Sequence, residues 1–342
     1  MRNTNRQIVL VRHPEGMPKE SDWRLVESPV PEPGEGEMLV RTIWLSVDPY
    51  MRGRISAQRG YTKGVAPGEV MVGGGVGQVV RSRHPDFREG DIVESMGFGW
   101  QDYPVLKAQG TRKVDPSVGP IRYALGILGM PGLTAYFTLL DVAKVKPGET
   151  VVISAASGAV GQVAGQIVKI LGGRAVAVAG DERKLAWCRE LGYDAGVNHR
   201  TAPDLKAALA SACPNGIDVY VDNTAGPIHD AVMGLINLRA RVVIVGTIAL
   251  AGRLEQPDIG PRHLRAILVN RARVEGFLVF DYVDRYAEGL RQLSTWLKQG
   301  RLSYREDIAE GLESTPKAFL RLLTGENFGK QLVKVSDEPP GL

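Results

Sequence analysis

The sequence predicts an α/β protein in two parts, a β-rich domain and a doubly wound parallel sheet. Three observations carry this. The run Val151-Val152-Ile153-Ser154-Ala155-Ala156-Ser157-Gly158-Ala159-Val160-Gly161 passes from β-branched residues into small ones, and Gly158-x-x-Gly161 then opens an apolar helical segment at 163–171. Strand-like and helix-like segments alternate from residue 150 to residue 299. Before that, roughly the first 120 residues are rich in β-branched residues and turn signals, with few helical ones.

In the N-terminal part, strands are expected at 8–11, 37–46, 76–82, 91–96 and 101–106. Pro29-Val30-Pro31-Glu32-Pro33-Gly34 and Gly73-Gly74-Gly75-Val76-Gly77 supply turns between them. The stretch 124–140 carries no charge, but Gly126, Gly129, Pro131 and Gly132 interrupt it. It reads as two short buried pieces around a turn, and it is short for a membrane span. The pattern changes after Met130-Pro131. Strands are expected at 150–154, 174–179, 195–198, 217–222, 240–246 and 272–279. Helices are expected at 159–171, 182–191, 203–211, 227–237 and 283–299. Six strands alternating with helices predict the parallel sheet. Strand signals return at Ile308 and 331–335, and this tail is expected to rejoin the first domain. The expected segments are therefore 1–130, 131–304 and 305–342. A chain of 342 residues fits about two domains.

Composition narrows the function classes. The net charge of +4 is a mild excess spread along the chain. Its densest basic patch, Arg262, Arg265, Arg271 and Arg273, reads as a solvated face or the rim of an anion site, and no nucleic-acid motif accompanies it. Two cysteines, Cys188 and Cys213, exclude a disulfide scaffold and a four-cysteine zinc lobe. Ile8 to Val11 is too short for the apolar core of a secretory signal. The expectation is a cytoplasmic protein that binds neither membrane nor nucleic acid.

The strand, glycine turn and helix at 151–171, followed by the strand at 174–179, have the order of a dinucleotide-binding unit. Small residues let the backbone approach a pyrophosphate, and a helix start offers N–H groups and the positive end of its dipole. The fingerprint is incomplete, because Ala156 stands at the place of its first glycine. An acid at the end of the second strand would bond the adenosine ribose and favour NAD. Here Gly180 occupies that place. Lys184, one helical turn further on, is either a partner for a 2′-phosphate or a solvated helix lysine. Asp181 would repel such a phosphate unless its carboxylate caps the helix instead. His199 and Arg200 follow the third strand at the same edge of the sheet.

Asp222-Asn223 and Gly246-Thr247 end the fourth and fifth strands, where ligands of open α/β sheets bind and where turns also need such residues. Tyr50, in Ser46-Val47-Asp48-Pro49-Tyr50-Met51-Arg52, and Tyr282, after the last strand of the sheet, are candidate hydrogen-bond donors to a developing enolate oxygen. Each also has an ordinary reading as a packing residue with a satisfied hydroxyl. The histidines 13, 84, 199, 229 and 263 form no metal-ligand spacing, and no cysteine lies in the first domain, so no metal site is expected.

Three motifs, Ser46 to Arg52, Leu128-Gly129-Met130-Pro131-Gly132-Leu133-Thr134-Ala135-Tyr136 and Ala155 to Gln162, narrow the reading further. Together with Gly325-Glu326-Asn327-Phe328-Gly329-Lys330 they resemble the zinc-free medium-chain dehydrogenase/reductases, in the group of leukotriene dehydrogenases, prostaglandin reductases and 2-alkenal or curcumin reductases. The resemblance spans nearly the whole chain. It implies a GroES-like substrate and catalytic domain split around a Rossmann domain, NADPH as cofactor and a homodimer in the cytoplasm. Carried over by position, it implies that Gly158, Ala159, Val160 and Gly161 meet the pyrophosphate and that Lys184 serves the 2′-phosphate; His199, also a cofactor-binding candidate, can hydrogen-bond or, protonated, attract a phosphate. It further implies that Asn223, Asn327, Val245, Gly246, Thr247, Phe277, Leu278 and Val279 bind the cofactor, and that Tyr50 and Tyr282 face the substrate. Two positions depart from the group: Asp181 replaces a Ser or Gly, and His199 replaces a common Tyr.

The implied activity is hydride transfer to the β-carbon of a small-molecule enone or enal. Quinone reduction and zinc-free alcohol oxidation are the alternatives on the same scaffold. A non-catalytic cofactor-binding protein is the alternative from another class.

Overall fold

The computed structural model describes residues 4–58, 60 and 62–342. The chain divides into two compact units. The first comprises Met1–Gly126, Ala251–Gln256 and Glu306–Leu342, and the second Ile127–Leu250 and Pro257–Arg305.

In the first unit, β1 (Thr4–Leu10) pairs antiparallel with β2 (Trp23–Pro29). They are followed by β3 (Glu37–Ser46), a single helical turn α1 (Met51–Arg54), β4 (Gly75–Ser82), β5 (Ile92–Ser95), β6 (Val105–Lys107) and β7 (Thr111–Lys113).

The second unit opens with α2 (Met130–Phe137), whose last residue leads into a π-helical stretch at Thr138–Val142. It continues β8 (Thr150–Ser154), α3 (Gly161–Ile170), β9 (Arg174–Ala179), α4 (Glu182–Glu190), β10 (Ala195–Asn198), α5 (Leu205–Ala212) and β11 (Ile217–Asp222). Then come α6 (Gly226–Met233), β12 (Ile236–Ile244), α7 (Leu264–Asn270), β13 (Arg273–Gly276) and α8 (Tyr286–Lys298). The chain returns to the first unit as β14 (Glu306–Glu310), α9 (Thr315–Thr324) and β15 (Lys330–Lys334).

The second unit is built on a six-stranded sheet of order β10-β9-β8-β11-β12-β13, parallel throughout. The order reverses between β8 and β11, the switch point at which such sheets open a ligand crevice. All five residues of β8 are buried. A central parallel strand is covered on both faces, which is why it reads as an unbroken apolar run. The first unit holds a seven-stranded sheet, β14-β15-β3-β4-β5-β7, with β6 paired to β3. The architecture is the expected one: a β-rich domain and a doubly wound parallel sheet.

Several elements differ from expectation. β12 begins at Ile236, because α6 stops at Met233 before Gly234. β13 ends at Gly276, so Phe277, Leu278 and Val279 lie beyond the strand; Phe277 N donates the next bond, to Ile244 O at 3.0 Å. The helix expected from 283 starts as a 3-10 turn, Val279–Arg285. Of 101–106, only the end joins a strand. α9 was not foreseen. It has Pro316 in its first turn and Gly325 at φ +70° closing it, a start and a stop that were present in the sequence. The mid-chain segment Ala251–Gln256 belongs with the first unit. Arg52 holds it: Nε donates to Ala251 O at 2.8 Å, and Nη2 to Glu255 at 2.8 and 3.1 Å.

Candidate active site

The second unit gathers most of the candidate residues at the C-terminal ends of its strands. After Ser154 the backbone turns at Ala155, which takes φ +49°, and Gly158 N closes the turn on Ala155 O at 2.8 Å. A Cβ on Gly161 would lie 2.5 Å from Ala155 O and 2.6 Å from Ala156 Cα, so only glycine fits there. Ala156 is fully buried at the place of the missing first glycine, and the positive φ falls one residue earlier. Gly158, Ala159 and Val160 are half-buried, and no side chain caps the start of α3. The cradle therefore has room at its rim and an uncapped helix start, as a pyrophosphate requires.

At the end of β9, a Cβ on Gly180 would stand 3.1 Å from Arg200 Nε and 3.3 Å from His199 Nε2. A ribose-binding acid at 180 would thus run into these two side chains. Asp181 caps α4, accepting from Lys184 N at 2.9 Å. Lys184 itself is buried. The His199 imidazole is held below its ordinary pKa, first by burial and then by the cations of Arg200 and Lys184. Lys184, His199 and Arg200 therefore share one electropositive neighbourhood beside Gly180, which suits a phosphate better than a ribose diol.

The far half of the strand edge is knit together by Ser154 and Asp222. Asn223 donates from its backbone to Ser154 Oγ at 2.9 Å and from its side chain to Ser154 O at 2.8 Å. Val245 N and Gly246 N both donate to Asp222 O, at 2.8 and 3.0 Å. Asp222 is itself buried, accepting from Tyr220, Thr224 N and Ala225 N and pairing with His229 at 2.8 Å. These bonds bring Asn223, Val245 and Gly246 together; Thr247 follows, exposed. The Phe277–Ile244 bond sets Phe277 at the end of β12. The Phe277 ring lies 5.5 Å from that of Tyr282, and Tyr282 stacks on Phe137 at 4.6 Å. Leu278 is exposed and Val279 buried. Burial, then the charges of Asp141 and Glu275, raise the Tyr282 phenol above its ordinary pKa, so it stays protonated and able to donate.

The first unit carries Tyr50 and Asn327. Tyr50 is half-buried and occupies the N-cap position of α1. Asn327 is buried and donates from its side chain to Gly329 O at 2.9 Å. A cavity of about 550 Å³ in this unit, lined by Arg6, Arg41, Asp102 and Lys334 among others, includes none of the candidate residues. It is bordered by charges already paired with one another, such as Arg6 with Asp102. Among the described residues, no group of three or more His, Cys, Asp or Glu could hold a metal ion.

Arg200 joins the candidates through its side chain beside Gly180, and its place after the third strand is the signal in the sequence. Lys330, at the end of the motif 325–330, has no role legible from sequence.

Two family models match the chain: the N-terminal domain of oxidoreductases over residues 6–114 and the zinc-binding dehydrogenase domain over 159–295. The NADPH-dependent curcumin reductase of Escherichia coli is 43% identical over 340 residues, covering 98% of each chain. The NADP(+)-dependent 2-alkenal reductase of Nicotiana tabacum is 41% identical over 342 residues, again covering 98% of each. The crystal structure of CurA from Vibrio vulnificus in complex with NADPH superposes with a TM-score of 0.92 at 42% identity, covering 97% of this chain and all of that one. The chain belongs to the zinc-free medium-chain dehydrogenase/reductase family, in the group of curcumin, 2-alkenal and prostaglandin reductases.

Proposed function

We propose that this NADPH-dependent reductase saturates the carbon–carbon double bond of α,β-unsaturated ketones and aldehydes. The observation that carries the reading is its whole-length likeness to reductases named for curcumin and 2-alkenals, both of which bear a C=C conjugated to a carbonyl. The cluster beside Gly180 supports NADPH over NADH.

In this reading the segment Gly158 to Gly161 takes the pyrophosphate, with Lys184 and His199 on the 2′-phosphate. Asn223, Val245, Gly246, Thr247, Phe277, Leu278, Val279 and Asn327 hold the remainder of the cofactor. When bound, NADPH supplies the hydride that adds to the β-carbon of the substrate. Negative charge then appears on the carbonyl oxygen, where Tyr50 or Tyr282 donates a hydrogen bond. A proton from solvent or a tyrosine reaches the α-carbon and completes the saturation. Much of the remaining advantage is positional.

The test is a substrate panel. NADPH oxidation is followed with an enone, an enal, a quinone, a secondary ketone and no substrate, and the products are identified by mass. Turnover of enone and enal to the saturated carbonyl is the expected result. Turnover of quinone or ketone alone would replace this reading with one of its alternatives, and no turnover of any would leave a cofactor-binding protein.

We also infer a homodimer. β13 is an edge strand whose four residues are all exposed, and α7, which precedes it in the chain, buries none of its seven residues. Leu264, Leu268, Val269 and Val274 are thus exposed apolar residues in these two elements, and β13 leaves one edge of the sheet open, which a second copy would cover. No helix among the described residues is long and apolar enough to cross a membrane; a cytoplasmic place is our expectation.

A further inference from the structure

Lys330 opens β15 with its side chain 1% exposed. Its ammonium donates to Val47 O at 3.0 Å and to Asp48 Oδ1 at 2.5 Å. The other carboxylate oxygen of Asp48 accepts from Ser46 Oγ. A buried ion pair is costly to desolvate, and an aliphatic residue of similar length would fill the start of a sheet strand at least as stably. The charge is therefore best explained by what it holds.

What it holds is the segment that carries Tyr50. Val47 N donates to Gln331 O at 3.2 Å, and Met51 N to Asp48 O at 3.2 Å. Between Asp48 and Tyr50 stands only Pro49, whose ring fixes its φ and makes a short stiff lever. Beyond Tyr50, Arg52 is pinned in turn to Gly16 O, Ala251 O and Glu255. Tyr50 thus sits in a turn anchored on both sides, and the anchor behind it is a pair of residues 282 positions apart in sequence.

We propose that the Lys330–Asp48 pair is a positioning device for the Tyr50 turn, setting the phenol where it donates to the substrate carbonyl. This rests on the reading of Tyr50 as the polarising group. Both side chains are buried against each other, so the role proposed for them runs through Tyr50.

The experiment is a cycle of Lys330→Met, Asp48→Asn and the double variant, each made with Tyr50 and with Tyr50→Phe. Tm, kcat for an enone and KM for NADPH are measured. Each single variant leaves one buried charge without its partner and lowers Tm; the double variant removes both charges and recovers most of that loss. With Tyr50 present, the double variant nonetheless keeps a kcat about 10- to 100-fold down, as small misplacements do, with KM for NADPH little changed. In the Tyr50→Phe background the same double change adds no further loss.

A double variant that recovers kcat along with Tm overturns the proposal and makes the pair purely structural. An equal fall of kcat in the Phe background overturns it as well. If Tyr50→Phe alone turns over at the wild-type rate, the reading of Tyr50 fails and the positioning role with it. If Tyr50→Phe is slow while the double variant is not, only the positioning role fails. Should Lys330→Met not fold, Asp48→Asn, which keeps the side-chain shape and the Lys330–Val47 bond, is compared in the Tyr50 and Tyr50→Phe backgrounds alone: a fall in kcat with Tyr50 that vanishes with Phe supports the proposal, and no fall with Tyr50 or an equal fall in both overturns it.

Discussion

The carboxylate of Asp181 is turned onto the backbone N–H of Lys184, 2.9 Å away. This resolves the departure that the sequence leaves open at the second strand. An acid one residue beyond Gly180 opposes a phosphate only if it faces the phosphate. As the N-cap of α4 it is committed to the helix instead, a contribution of about 1 kcal/mol to helix stability. Lys184 thereby has its backbone fixed by the residue whose charge would oppose a phosphate beside it.

Cofactor preference should follow this cluster. Lys184→Ala is expected to weaken NADPH far more than NADH, by about tenfold or more, since a charge-assisted bond contributes roughly 1.5–3 kcal/mol. Arg200→Ala should shift the ratio in the same direction. Gly180→Asp should act against NADPH most directly, since its side chain would enter the space of Arg200 and His199. Equal losses for the two cofactors, or a wild-type preference for NADH, would sink the assignment of the cluster to the 2′-phosphate.

Turnover should be independent of metal. The motive is the missing set of ligands in the first domain. Prolonged chelator treatment is expected to leave the rate unchanged, and elemental analysis to find no stoichiometric zinc. A rate restored by added zinc would show that the ligand inventory had been misread.

A phenol should carry part of the barrier reduction. Tyr50→Phe and Tyr282→Phe keep ring packing, including the stack of residue 282 on Phe137, and remove only the hydroxyl. Loss of one oxyanion donor in other enzymes lowers turnover by ~10²–10³; a smaller fall is expected here because water and the cofactor's ribose share the load. The informative pattern is a lower kcat with unchanged NADPH binding. Wild-type turnover in both single variants and in the double variant would remove the phenols from the mechanism.

The exposed residues of α7 and β13 should lie in an interface between copies. Light scattering is expected to give the mass of a dimer for the wild type, and that of a monomer for Leu268→Glu combined with Val274→Glu. A monomeric wild-type protein at micromolar concentration would refute the dimer.

Much of this was legible from residue order. The unbroken apolar run of β8, the Gly158-x-x-Gly161 turn and the alternation that follows specify the parallel sheet, because each signal is local and repeats with the period of the element it forms. The absence of a metal-ligand spacing and the lack of an acid at 180 were equally visible, since both concern which residue types are present. The motifs at 46–52, 128–136, 155–162 and 325–330 carried the family.

Other features depended on where side chains went after folding. Sequence places an acid at 181, but only the start of α4 determines that its carboxylate faces the helix. It places Arg200 after a strand, but only the packing of β10 beside β9 sets that side chain against Gly180. Lys330 stands in the sequence as the last residue of the motif 325–330. Its burial against Asp48 comes from the pairing of β15 with β3. In the same way Ala251–Gln256 reads as a loop of the second domain and joins the first through Arg52. Local propensity and periodicity act over a few residues and are written in the chain. The partner of a buried charge is chosen by contacts hundreds of residues apart, and only the closed fold makes that choice.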